Sequence, residues 1–498
     1  MKKMICLIAA VAGLCVGVAA QETEGWTLSA NDCELSAEEA SHARYAGSVP
    51  EGDCWLTRSA KGPKSFVRRD DWQVVLMDRR MRVVRRLELP QTHRSRVLAM
   101  RVDDGGSRLC ALFVDSSEAS RTTLTRAVVE MDSMALVGGK MDTLATYDYA
   151  GGDRCLLWCA ESENGRYTGV LTVVEHRKEK TYASQAVMLD EGLELLWKRD
   201  YAVETTSSIG VSDEGELITL GDGRDEGMLA VWVSVIAQER GQSYEMKVES
   251  GEWRVEGLRV LRVAGRRVLG GGLYGPLNAD IRKRLSLGVV TMGFALDTMG
   301  ITAFDMRPFG IEAMNVMDNE RLKKRRGNEA VAMAEPIGRA WTDDGGVVMA
   351  IGHRHAVLKR NANGTVDKTC VAQGVHLVAM DSDGNWKWGR SMRRNDVQKE
   401  NADRLYTALF SAGGKVHLVK NESRKLPSKY DIEKAAKEYE VGEKGNLVVY
   451  SVDDGGEVEK TVLRSKTKYC VTNAAKRDDG SVVLLTADGK KMQCVELR

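Results

Sequence analysis

The sequence predicts an all-β fold: a seven-bladed β-propeller of four-stranded antiparallel blades, closed by N- and C-terminal strands in one blade, with short helical insertions. Two interleaved repeats predict it. The first is an apolar run ending in a hydrophobic residue, an aspartate and a turn. It occurs at Met77-Asp78, Met131-Asp132, Leu189-Asp190, Leu296-Asp297, Met380-Asp381 and Val452-Asp453. The second is a β-prone run entering a glycine turn, at Asp103-Asp104-Gly105-Gly106, Gly151-Gly152-Asp153, Asp213-Glu214-Gly215, Ala264-Gly265, Asp343-Asp344-Gly345-Gly346, Gly413-Gly414 and Asp478-Asp479-Gly480. Asp-Gly and Gly-Gly between apolar runs are hairpin signals, because glycine accepts the positive φ of tight turns.

Taken from the N-terminus, Lys2 and Lys3 lead an apolar stretch from Met4 to Val18, and Val18-Ala19-Ala20 precedes Gln21. This is the pattern of a cleaved secretory signal over residues 1–20. The apolar run is shorter than the ~20 residues of a spanning helix, and Leu14 stands before Cys15 where a lipoprotein signal has a small residue. The expectation is an exported chain, periplasmic or extracellular, with no membrane span after cleavage. Residues 21–71 read as an N-terminal segment with a short helix, since Ser36 and Glu39 have capping-box spacing. Residues 72–498 read as the propeller.

Within that span the gap between Asp190 and Asp297 hides a degenerate hairpin, with the strand Ala230–Ile236 followed by Gly241 and a run through Tyr244 and Met246. Seven hairpins of each kind then alternate, giving seven four-stranded units around an axis. The first hairpin, Trp72 to Leu89, and the last, Lys468 to Leu485, would complete one blade together and lock the ring. On that count the run from Met492 to Leu497 is a surplus edge strand. Ser428, Asp431, Ile432, Ala435, Ala436 and Tyr439 have the cap and spacing of a second short helix.

The segments Leu189-Asp190-x-Gly192-x-x-x-x-Trp197 and Met380-Asp381-x-x-Gly384-x-x-x-Trp388 resemble blade repeats of secreted bacterial propellers of quinoprotein and outer-membrane-assembly type. The resemblance implies architecture and no cofactor. The quinoprotein repeat sets its glycine and tryptophan one residue further from the aspartate than Gly384 and Trp388.

Charge excludes a general affinity for nucleic acid, because 72 Lys and Arg balance 71 Asp and Glu. The exception is local: residues 58–96 hold twelve Lys or Arg against four acids, a surplus of eight. Arg82, Arg85 and Arg86 in that span fall on an outer strand, where charge discourages edge-to-edge pairing. Of the cysteines, Cys33 and Cys54 are the best candidate pair, whereas Cys155 and Cys159 lie too far apart on one strand to bridge.

In an up-and-down blade the turns within hairpins share one disc face and the connections between hairpins share the other. The long connections, roughly 115–125, 160–184, 275–287, 306–336, 352–372 and 420–443, therefore gather on one side, and loops on a rigid scaffold are where binding resides. Candidate binding residues there are the cationic run Lys323, Lys324, Arg325 and Arg326, with His353, Arg354 and His355 at a strand end. His353 and His355 lack a third ligand in the sequence pattern, so no metal is assigned. His376 and His417 read as histidines satisfied within strands, Asp381-Ser382-Asp383-Gly384-Asn385 as a β-turn and not a calcium loop, and Gly270-Gly271-Gly272 as unsuited to a phosphate cradle. No catalytic residues and no cofactor are assigned. The chain reads as a monomeric, non-catalytic binding scaffold with a protein or glycan partner on its loop face. The alternative is a cell-envelope hydrolase or lyase with its active site over the central channel.

Overall fold

The computed structural model describes residues 21–498 apart from 24–25, 62–68, 91–94, 117, 203–204, 226–227, 249–252, 278–284, 311–312, 315, 317–330, 333, 361–365, 400–406, 423–444, 468 and 488–490. It is a β-propeller, and it has eight blades where the sequence predicts seven. Blades 1 to 7 are continuous in the chain, spanning 44–88, 96–148, 154–200, 208–248, 253–308, 334–399 and 407–467. Blade 8 combines Cys470–Lys476, Val482–Ala487 and Met492–Leu497 with the N-terminal strand Trp26–Cys33, which Gln21–Thr23 extends at the edge.

The miscount has two sources. Arg44–Val49 and Gly52–Lys61 form the first hairpin of blade 1, turning at Pro50-Glu51 without an Asp-Gly or Gly-Gly pair. Met492–Leu497 is no surplus strand, for it pairs with Val482–Ala487 on one side and Trp26–Cys33 on the other, with Leu497 opposite Leu28 and Met492 opposite Cys33. The termini do share a sheet, as one strand against three. A ring closed in this way lacks one outer turn, because its last strand arrives from the other end of the chain.

The remaining turns follow from local chemistry. In four of the outer hairpins the repeated aspartate caps its own turn. Asp78 Oδ1 accepts from the Arg80 and Arg82 amides, Asp190 Oδ1 from Glu194, Asp381 Oδ1 from Asp383 and Asn385, and Asp453 Oδ1 from Gly455 and Glu457. Three residues later the chain adopts a left-handed φ, at Gly384 (89°) and Gly456 (81°) but also at Met81 (62°) and Leu193 (58°). Positive φ is costly for a bulky residue. Met81 and Leu193 are fully buried, so apolar burial of ~1.5–3 kcal/mol each offsets that strain. The phrase that repeats through the sequence is thus a turn device.

One inner turn differs from expectation. Gly151-Gly152-Asp153 joins blade 2 to blade 3, and the inner hairpin of blade 3 turns at residues 162–167, between Arg154–Glu161 and Thr168–His176. The loop expected at 160–184 is therefore mostly strand.

Eight apolar clusters occupy the eight blade interfaces, one at each. At the closing seam Trp55, Val75 and Met77 of blade 1 pack on Val483, Leu485 and Met492 of blade 8. The helix Ala37–His42 covers this seam, capped by Ser36 and Glu39 in the reciprocal box the sequence predicts. The second expected helix, after Ser428, lies outside the described residues. Cys33 and Cys54 are unpaired and sit in different sheets, so the suggested disulfide is absent, and Cys155 and Cys159 are also free.

A buried ion cluster finishes the seam. Arg477 of blade 8 donates through Nε to Asp53 of blade 1 at 2.8 Å and pairs with Glu496 at 2.9 Å. Burial pushes the Asp53 carboxyl up against the pull of this guanidinium. Replacing Arg477 with Met leaves Asp53 enclosed without its cation, while Glu496 keeps Arg498 at 2.8 Å, and is expected to cost about 3 kcal/mol. The check is urea unfolding: a lower midpoint at unchanged slope is expected, and a loss below about 1 kcal/mol, the scale of an exposed pair, would remove this cluster from the account of closure.

Candidate functional site

The first strand of each blade stands at the axis. Arg44–Val49, Arg96–Val102, Arg154–Glu161, Ser208–Val211 and Trp253–Ala264 touch in succession, as do Ala334–Trp341, Thr407–Ala412 and Cys470–Lys476. On these eight strands basic side chains outnumber acidic ones nine to three, a surplus of six in a protein whose net charge is +1. The axis is therefore a cationic wall inside a nearly neutral molecule.

The two ends of that axis differ. At the turn-bearing end Arg262 of blade 5 meets Glu163 in the inner turn of blade 3, with Nε donating to Oε2 at 2.9 Å and Nη2 to Oε1 at 2.5 Å. This fork reaches past blade 4. The third nitrogen donates to the Thr342 and Gly346 carbonyls in the inner turn of blade 6, at 3.1 and 2.9 Å. One guanidinium thus ties three blades together across the turn-face mouth. Neighbouring contacts reinforce it: Arg266 joins Glu216, Glu214 and Asp297, and the Asn164 amide donates to Asp213 at 2.9 Å.

The same face carries a cleft of about 1100 Å³ between blades 2 and 3, walled by Arg101, Arg126, Glu161, Asp190 and Glu194 among others. Nothing in the sequence pattern marks it. Three of its arginines are engaged internally: Arg101 with Glu161, Arg108 with Glu130 at 3.6 Å, and Arg126 with Asp142 at 3.0 Å and Glu194 at 3.3 Å. A ligand at Arg101, Arg108 or Arg126 would have to displace these internal partners.

The opposite face receives the connections between hairpins, including those that cross 277–287, 309–333, 361–365 and 423–444. Two of them are stitched into a platform, because Leu285–Ser286 pairs with Val331–Ala332. Phe309, Ala313 and Val331 anchor this excursion in the core between blades 5 and 6. Lys323, Lys324, Arg325 and Arg326 belong to this excursion and lie outside the described residues. The expected loop at 352–372 is shorter than the sequence suggests, as the strands Val347–Arg360 and Val366–Met380 run through most of it.

The histidines are dispersed within the sheets. His353 is buried on Val347–Arg360, opposite Ala334. Arg354 and His355 follow on that strand, paired with Ala372 and Val371. His376 Nδ1 lies 2.8 Å from Ser391 Oγ, with Phe309 edge-on at 5.9 Å. His417 Nδ1 lies 2.9 Å from Ser451 Oγ, and its Nε2 donates to the Ala412 carbonyl at 3.0 Å. Both are satisfied in place, as the sequence suggests. Among the described residues no group of three or more His, Cys, Asp or Glu could hold a metal ion, and no helix is long and apolar enough to cross a membrane.

Two smaller readings also hold. Asp381 to Asn385 is a β-turn, with the Gly384 amide donating to the Asp381 carbonyl at 3.1 Å. Gly270, Gly271 and Gly272 lie in a strand, where an added Cβ would meet Met292, Leu261 and Leu258 within 2.9 Å. Close packing of side chains and backbone within the blade 5 sheet requires these glycines.

With the geometry in hand, the comparisons add little. No family model matches the chain, and no curated protein does. Solved structures similar to it include the WD40 domain of SCAP from fission yeast, at 9% identity and TM-score 0.41 with 96% of each chain covered. A polysaccharide lyase matches at 11% identity and TM-score 0.39, covering 94% of this chain and 99% of that one. The β-propeller domain of the trilobed protease from Pyrococcus furiosus matches at 9% and 0.35, covering 86% and 98%.

Burial lowers the His376 imidazole from its ordinary 6.5 to about 4. Folding holds it neutral, so its contribution is fully present above pH 6.5 and is lost as pH falls toward 4, by about 3 kcal/mol in all. Unfolding free energies measured across that window are expected to fall more gently for His376→Asn than for the parent protein. Equal slopes would place the acid sensitivity elsewhere.

Proposed function

We propose that this protein is an exported, monomeric, non-catalytic scaffold whose loop-bearing face engages a protein or glycan partner. The observation that carries the reading is the asymmetry of the two faces. The turn face is braced across its mouth by Arg262 and Glu163, whereas the other face receives the long connections and the ribbon that joins Leu285–Ser286 to Val331–Ala332. Cationic side chains at Lys323, Lys324, Arg325 and Arg326 on that excursion supply attraction for an anionic partner surface, and His353, Arg354 and His355 belong to the strand behind it. Export rests on the signal pattern of residues 1–20.

The hydrolase or lyase alternative needs acids and imidazoles gathered over the channel. What weighs against it is the placement of His353, His376 and His417 inside blade sheets.

The test is recovery of partners from an envelope extract by the mature chain and by a variant with Lys323, Lys324, Arg325 and Arg326 all changed to Gln. The variant is expected to fold normally and to recover several-fold less partner. Equal recovery would take the cationic run out of the interface.

A further inference from the structure

We propose that the turn-face cleft between blades 2 and 3 is a docking groove for a basic peptide segment, a stretch of a partner protein that carries lysine or arginine side chains. The inference goes beyond the loop-face reading, since it concerns the opposite face of the ring and none of the same residues.

The cleft follows from how the two blades meet. Arg101, Cys110 and Val128 stand side by side on the first three strands of blade 2, on the face turned toward blade 3. Deeper in the same interface Leu112 and Leu124 share an apolar cluster with Val170, Val187 and Leu189 of blade 3. At the level of Arg101 that opposing sheet has given way to its two turns, and residues 164–166 and 190–192 stand across the gap instead. The space left is about 1100 Å³, above the ~300–1,000 Å³ of a small-molecule pocket. It has room for a segment of several residues.

Charge selects the occupant. Six acids and four arginines line the cleft, a balance of −2. Three of the arginines are already matched, Arg101 by Glu161 at 3.5 Å, Arg108 by Glu130 at 3.6 Å and Arg126 by Glu194 at 3.3 Å. The fourth, Arg166, is exposed at the tip of the blade 3 turn. Among the described residues nothing bonds to the carboxylate of Asp104, on the inner turn of blade 2, or of Glu191, on the outer turn of blade 3, and both are exposed. An anion would have to break existing pairs, whereas a cation meets acids that are free. Glu161 marks the inner end: desolvation by the surrounding walls raises its carboxyl above the ordinary range against the pull of Arg101. An arriving ammonium or guanidinium relieves that cost.

The floor favours side chains that are apolar along their length and charged at the tip. Cys110 and Val128 lie between the acids of the two rims, and lysine and arginine rest their methylene stems on such surface while the head reaches a polar edge. Among the described residues no aromatic side chain lines the cleft, so a sugar ring finds no stacking face there.

The probe is hexalysine, titrated calorimetrically into the mature protein at low salt, with hexaglutamate and a glucosamine hexamer as comparisons. Asp104→Asn combined with Glu191→Gln removes two exposed charges that hold no contact of the fold. This double variant is expected to keep the parent melting temperature and to bind hexalysine roughly fivefold more weakly. Glu191→Lys is expected to weaken binding as well. Asp343 is an exposed acid of the same face outside the cleft, and Asp343→Asn is expected to leave the affinity unchanged. Absence of hexalysine binding, equal affinity in the parent and the double variant, or an equal loss in Asp343→Asn would overturn the groove. A glucosamine hexamer or hexaglutamate bound as tightly as hexalysine would overturn its assignment to a basic peptide. The run at 323–326 is intact in all of these variants, so failure of the groove and failure of the loop-face interface are read separately.

Discussion

Closure of the ring is the constraint on which everything else depends. Each blade buries both faces only because a neighbour stands on either side, and the eight interface clusters form one cycle. Without Trp26–Cys33 as the fourth strand of blade 8, the outer edge of Met492–Leu497 would present unpaired backbone groups. Hydrophobic packing across Trp55, Met77, Leu485 and Met492 supplies most of the cohesion at the seam. The Arg477 cluster sets its register, since a buried guanidinium tolerates no sliding away from Asp53 and Glu496.

Given a closed ring, charge decides which end of the axis can act. The innermost strands carry far more cation than the molecule as a whole. At the turn face cations are consumed internally, with Arg262, Arg266, Arg101 and Arg126 each committed to an acid of another blade. The turn-face arginines are thus mortar between blades.

The architecture was largely legible in the residues, and the blade number was not. All seven outer turns, including the degenerate one after Ile236, stand where the aspartate and glycine signals place them, because an aspartate that caps its own turn leaves a local mark. The eighth inner hairpin turns on Pro50-Glu51, which resembles many loops, and the glycine pair at 151–152 imitates a hairpin while joining two blades. Seven outer turns with eight inner ones is what a ring closed by one strand against three must show. The candidate binding face was legible as the set of long connections and the cationic run Lys323 to Arg326, and that run lies outside the described residues. Of the outer-strand arginines the sequence singles out, Arg82 is engaged locally by Asp78, whereas Arg85 and Arg86 meet Asp132 and Glu39 only through tertiary contact.

The most direct test of this account is a covalent one. Asn31 on the N-terminal strand faces Cys494 on the last strand as its direct cross-strand partner, a separation compatible with a disulfide. In the Asn31→Cys variant under mild oxidation, peptide mapping is predicted to recover residues 31 and 494 in one linked fragment, with a raised melting temperature that returns to the parent value on reduction. Free thiols at both positions in a folded, oxidised variant would contradict the closure of the ring by its own N-terminal strand.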